Sequence, residues 1–141
     1  EAFLHALKLA DEFGEVYLKH AIAEVEAIDI ILNRINNCKD CYLIFDKEMP
    51  YRKAIKLSNN DKLKYIIFKS RREGYDIRTI CDSRKFKKEL VQAKDINAAR
   101  KLTNINDLIY VDIHRKLCCT KTLESAIQLV KYNEDCKTKN N

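Results

Sequence analysis

Chain breakers are almost missing from this sequence. It contains two Gly, one Pro and no Trp among its 141 residues. An all-β sandwich or barrel turns too often to be built with so few, and collagen-like or Gly/Ser-linker classes are excluded with it. With only Gly14 and Gly74 available, neither a phosphate-cradling P-loop nor a dinucleotide fingerprint can be assembled. No apolar run approaches the ~18 residues that cross a bilayer, so no membrane partner is expected. Catalytic signals are also thin. His5, His20 and His114 are widely separated, and there is no Ser-His-Asp order and no paired-carboxylate motif. Cys118, four residues after His114, could suggest a thiol nucleophile, but that spacing alone is a thin signal. The chain reads as a non-enzyme.

What is present is a core-forming composition with a split charge. At 46% hydrophobic the chain can bury a core. Its net charge of +6 hides two unlike parts. Residues 1–35 carry seven acids and three bases, a net of −4, whereas residues 36–141 carry 24 bases and 14 acids, a net of +10. Ala is concentrated in the first 27 residues, so composition and charge shift together near 36–39. This divides the chain into a helical arm at 1–37, a small domain at 38–132 and a polar tail at 133–141. The sequence starts at Glu1 rather than Met, which reads as a fragment or a processed product, and shows no signal peptide.

Six Cys are present: Cys38, Cys41, Cys81, Cys118, Cys119 and Cys136. An even count suits a secreted disulfide framework, but such frameworks serve domains with poor cores, and neighbours such as Cys118 and Cys119 are awkward to bridge. Reduced thiols in a cytoplasmic or nuclear compartment are the expectation. No cofactor is required by the sequence. Zinc is the alternative: Cys38-x-x-Cys41 has the spacing of a zinc knuckle, and His114 with Cys118 would supply its second half.

Periodicity fills in the elements. Residues 3–12 read as a helix, with Gly14 as a break or a weak point. From 15 to 36 the apolar residues Leu18, Ala21, Ile22, Val25, Ile28, Leu32 and Ile35 recur at helical spacing. A heptad through Tyr17, Ala21, Glu24, Ile28, Ile31 and Ile35 has a charge in its seam and specifies a coiled coil only weakly. Residues 41–45 are an apolar run that suits a strand or a helical turn, ended by Pro50. Residues 62–69 and 75–81 alternate as two strands around a charged turn at 70–74. Asp82 or Ser83 would cap a helix running to Lys94, followed by a second helical piece at 96–102. Residues 108–113 give a third strand. Thr120 or Thr122 would cap a last helix striped by Leu123, Ile127 and Val130. The expected fold is α+β: an N-terminal amphipathic helical region followed by a small β-β-α-β-α domain.

The run KYIIFKSRREGYDIRTICDSRKFKKEL, then LIYVDIHRK and a final amphipathic helix, resembles the C-terminal domain of the Bro (baculovirus repeated ORF) family and KilA-N-associated proteins of large insect DNA viruses. The similar elements are a first strand at 64–69, a second strand with Tyr75, Ile77 and Arg78, and a basic helix from Ser83. The helix ending IDIILNRIN is similar to the coil that often precedes that domain. The resemblance implies a viral nucleic-acid-associated protein whose main DNA-binding domain lies upstream.

The bases themselves point to phosphate. Lys62, Lys64, Lys69, Arg71, Arg72 and Arg78 lie on the hairpin, and Arg84, Lys85, Lys87 and Lys88 on the first turn of the next helix, where they oppose the helix dipole. Such a patch holds phosphates without reading sequence, and Tyr65 and Phe68 between the bases could stack on unpaired bases. The bland alternative is that these bases solvate an outer face and that Tyr65 and Phe68 are core. The leading function is therefore a non-catalytic module that binds nucleic acid non-specifically. The second is a protein-interaction subunit using the helix face Leu18, Ala21, Val25, Ile28, Leu32 and Ile35, with another protein or a second copy as partner, the latter giving a homodimer. The third is a zinc-stabilised binding domain.

Overall fold

A computed structural model describes residues 1–80, 91, 93–114 and 116–138, the side chains of 136–138 excepted. Two compact units partition the chain: Glu1–Asn37 with Met49–Asn60, and Cys38–Glu48 with Asp61–Asn141. The fold is α+β.

The first unit is built on α1, a single helix over Ala2–Asn37. Gly14 does not break it: the backbone passes through in helical form with open space around its Cα. One Gly costs a helix only about 1 kcal/mol, which the long flanking helical runs absorb. Ile31 and Ile35 are buried at its C-terminal end. There α2, over Tyr51–Leu57, packs along it and buries Tyr51 and Ala54. Lys53 of α2 forms an ion pair with Glu24, and the Asn60 amide donates to the Ile35 carbonyl at 2.7 Å. Pro50 precedes the first helical residue of α2, a position where its missing N–H costs nothing. That helix is not expected from periodicity, because seven residues are too few to show it.

The second unit is a mixed sheet with helices on one face. Its described strands are β1 (Tyr42–Phe45), β2 (Tyr65–Lys69), β3 (Tyr75–Thr79), β4 (Leu108–Val111) and β5 (Leu117–Thr120), in the order β1-β2-β3-β5-β4. Among the described strands only the β1–β2 pair is parallel. Helix α3 spans Ile96–Thr103 and α4 spans Leu123–Thr138. The core gathers Tyr65 and Ile67 of β2, Ile77 of β3 and Cys118 of β5 against Ala99 of α3 and Ala126, Leu129 and Val130 of α4. Ile66 and Phe68, on the other face of β2, are buried as well. This two-sided burial explains why both faces of β2 are apolar from Tyr65 to Phe68.

The expected β-β-α-β-α order is thus short by two strands. The run at 41–45 resolves into β1. The second addition, β5, is hidden in the sequence because Leu117-Cys118-Cys119-Thr120 looks like a cysteine pair ahead of a cap. Thr120 lies inside β5, and Thr122 is the cap of α4: its Oγ1 accepts from Ser125 N at 3.3 Å. The helical piece at 96–102 is α3, with Asp95 accepting from Ala98 N at its start. Residues 83–90 of the helix expected from Ser83 to Lys94 lie outside the described residues, and its expected end is not helical: Val91, Ala93 and Lys94 are irregular, with Val91 buried in the core. Helix α4 runs through Thr138, so residues 133–138 of the polar segment are helical and Asn133 is buried.

Candidate nucleic-acid interface

The β2–β3 hairpin carries the densest described bases. Its turn closes with Ser70 N donating to the Gly74 carbonyl at 2.9 Å. Gly74 sits at φ 81°, a left-handed conformation that side-chain-bearing residues rarely adopt. The turn therefore projects Lys69, Arg71 and Arg72 into solvent, with the Arg71 side chain 87% exposed. Lys62 is exposed just ahead of β2.

Carboxylates lie against Arg78, Arg71 and Lys64. Arg78 lies 3.0 Å from Glu48 and stacks on the Phe68 ring at 4.8 Å. Glu48 also lies 3.6 Å from Arg71. Lys64 donates to Glu134 at 2.6 Å. Of the six described bases, Lys62, Lys69, Arg71 and Arg72 are exposed, Arg71 with Glu48 beside it, whereas Lys64 and Arg78 are partly buried against Glu134 and Glu48. Arg84, Lys85, Lys87 and Lys88 lie outside the described residues. Tyr65 and Phe68 are both core residues, so neither offers a face for base stacking.

The sequence does not single out Glu48 or Glu134, the two acids that set this division. Glu134 is 70 residues from Lys64 and no local spacing links them. A signal does exist: extending the α4 stripe from Ala126 and Val130 by i+3 and i+4 reaches Asn133 and Glu134. Glu134 also accepts from the Tyr65 hydroxyl at 2.6 Å, and that hydroxyl accepts from the Asn133 amide at 2.6 Å. Burial, then the bond to and charge of Glu134, drives the Tyr65 hydroxyl far above its usual range.

The thiols lie in unlike places. Cys38 and Cys41 are half-buried around the turn into β1, where Cys38 Sγ donates to the Tyr42 carbonyl at 3.3 Å. Burial, Asp40 and both thiols push the Tyr42 hydroxyl up. His114 is exposed in the β4–β5 turn, while Cys118 is buried in the core. Among the described residues, no three His, Cys, Asp or Glu side chains converge as a metal site would need, so Cys38, Cys41, His114 and Cys118 are not brought together. Cys118 and Cys119 sit on opposite faces of β5, as strand alternation requires. Burial, then Asp112 and Cys119, pushes the Cys118 thiol up to about 12. Burial and Asp76 do the same for Cys119, also to about 12.

The expected interaction helix is likewise divided. Leu18 and Val25 are exposed, Ala21, Ile28 and Leu32 are half-buried, and Ile35 is buried. Among the described residues no helix is long and apolar enough to cross a membrane.

No curated protein and no solved structure matches the chain. Residues 1–133 match the model of a family described as an uncharacterised protein family, UPF0160, labelled MYG1_exonuc. That match overturns the resemblance to the Bro and KilA-N-associated viral proteins, and the viral origin it implied goes with it. The residues behind that resemblance form an alternating hairpin with charged ends, a pattern common to many α+β domains. With nearly its whole length covered by that one model, the chain belongs to the uncharacterised family UPF0160.

Proposed function

We propose that the second unit contacts nucleic acid through phosphate at the β2–β3 turn, as a binding module rather than a catalytic one. The observation that carries this reading is the projection of Lys69, Arg71 and Arg72 from one tight turn into solvent. Three cations on one hairpin end attract a phosphate backbone without reading bases. The net charge of +10 over residues 36–141 adds long-range attraction for any polyanion. The "exonuc" in the family label points to the same class of partner.

Binding rather than catalysis fits the reactive groups that are described. Cys118 is buried with its thiol pushed up to about 12, the reverse of an activated nucleophile. Lys64, Tyr65 and Glu134 satisfy one another by hydrogen bonds.

Fluorescence anisotropy of labelled single- and double-stranded oligonucleotides, titrated with salt, tests the proposal. The expected result is affinity at low salt that falls steeply as salt rises. The triple variant Lys69→Glu, Arg71→Glu, Arg72→Glu should lose at least about tenfold in affinity and flatten the salt slope. Absence of binding at low salt, or a triple variant that binds like the parent, would overturn it.

A further inference from the structure

Helix α1 leaves most of its apolar surface in water. Leu4 is 68% exposed, Leu18 59% and Val25 59%, and Leu7 is also exposed. These residues fall on a spacing of three and four: positions 4, 7, 11, 14, 18, 21 and 25. That is the spacing of a two-helix coiled-coil seam, with Asp11 and Gly14 at its centre. Helix α2 packs on the face of Ile31, Ile35 and Glu24 and leaves Leu4, Leu7, Leu18 and Val25 of this row exposed, with Ala21 half-buried.

We propose that the seam is an interface with a second copy of this chain, the two α1 helices running antiparallel and centred between Asp11 and Gly14. The seam chemistry selects this partner and direction. A parallel, in-register pair would stack Asp11 on Asp11 inside the interface, a like-charge contact with no compensating base. The antiparallel pair places Asp11 opposite Gly14 of the second copy, which has no side chain to meet it. It places Leu7 against Leu18 and Leu4 against Ala21, large residues meeting large or small so that layers fill. On one flank Lys8 comes opposite Glu15 of the second copy, twice by symmetry. On the other flank the exposed Tyr17 covers Ala10 of the second copy. The layers from 4 to 21 span about 27 Å of helix.

Sedimentation velocity on the full chain, over about 1 to 100 µM, tests the assignment. The expected result is a concentration-dependent shift from the 16.5 kDa chain mass to twice that value. K8E sets two acids against each other across the interface, and E15K sets two bases against each other, so each alone should weaken the dimer about tenfold. The double variant K8E/E15K should restore it, and mixing the two single variants should give heterodimers in preference to either homodimer. Circular dichroism checks that α1 stays helical, because these exposed substitutions touch no buried residue of the unit. A parent that stays monomeric throughout overturns the proposal, and so does a dimer indifferent to K8E, since a parallel pair brings no Lys8–Glu15 contact.

Discussion

The Tyr65 hydroxyl donates to Glu134 across 2.6 Å, tying the second strand of the sheet to the last helix. Both oxygens of that carboxylate are used, the other by Lys64. The Asn133 amide completes the group by donating to the same hydroxyl. Removing the hydroxyl in Tyr65→Phe leaves a half-buried carboxylate and a buried amide each short of a partner. A hydrogen bond to a charged group is worth about 1.5–3 kcal/mol, and stranded partners add to the loss. Urea unfolding should show Tyr65→Phe less stable by about 2 kcal/mol, with the midpoint lowered and the slope unchanged. Stability equal to the parent would mean that the group is not a tie between β2 and α4.

The same burial fixes how the fold responds to alkali. Tyr65, Cys118 and Cys119 all hold their protons more tightly when folded than when unfolded, the two thiols to about 12 against an ordinary 9.0. Between those values the unfolded chain releases protons that the folded chain keeps. The unfolded state therefore binds fewer protons, and stability falls as pH rises. It should be intact below pH 9 and decline from there to pH 12. Cys118→Ala, which keeps a small apolar group in the core, should make that decline shallower. Thermal unfolding between pH 7 and pH 11 reads both effects, and a flat profile would contradict the burial of these groups.

Gly74 ends the hairpin turn that carries the exposed bases. A Cβ added there would sit 2.1 Å from the Thr120 carbonyl oxygen of the neighbouring strand. Its φ of 81° is strained for any residue with a side chain. Gly74→Ala therefore combines a backbone clash with a conformational cost, and should destabilise the unit by about 2–3 kcal/mol. Differential scanning calorimetry should show a lowered melting temperature, and Gly14→Ala should move the opposite way. At Gly14 the added Cβ meets nothing within 4 Å in its own chain, and Ala is the better helix former by about 1 kcal/mol.

Local patterns are legible where an element makes its own signal. The alternation of 62–69 and 75–81 finds the hairpin, and the spacing from Leu18 to Ile35 finds the C-terminal half of α1. What stays hidden depends on distant neighbours. Leu117–Thr120 becomes a strand because β3 and β4 flank it, not because of its own composition. Tyr65 and Phe68 look like stacking aromatics among lysines until both faces of β2 are seen to be buried. Lys64 and Arg78 count as phosphate contacts in sequence, yet Glu134 and Glu48 hold them in the fold. A charge count along a chain cannot show which charges are already paired.

Asp107 makes the entry to α4 sensitive to acid. Its Oδ2 accepts from Thr122 N at 3.1 Å and from Thr122 Oγ1 at 2.9 Å. Burial alone would raise this carboxyl, but hydrogen bonding from Ser125 and Thr122 outweighs it and holds the group below its ordinary 3.8. The stability it contributes is therefore present above pH 3.8 and is lost as pH falls below that value. Asp107→Asn keeps the shape but removes the charge that favours the helix N-terminus, and should cost about 0.5–1 kcal/mol at pH 7. At pH 2.5, where the parent is increasingly protonated, the two proteins should differ less than at pH 7. Paired urea titrations at the two pH values measure this convergence, and a difference that stays constant would show that the Asp107 charge does not support the helix.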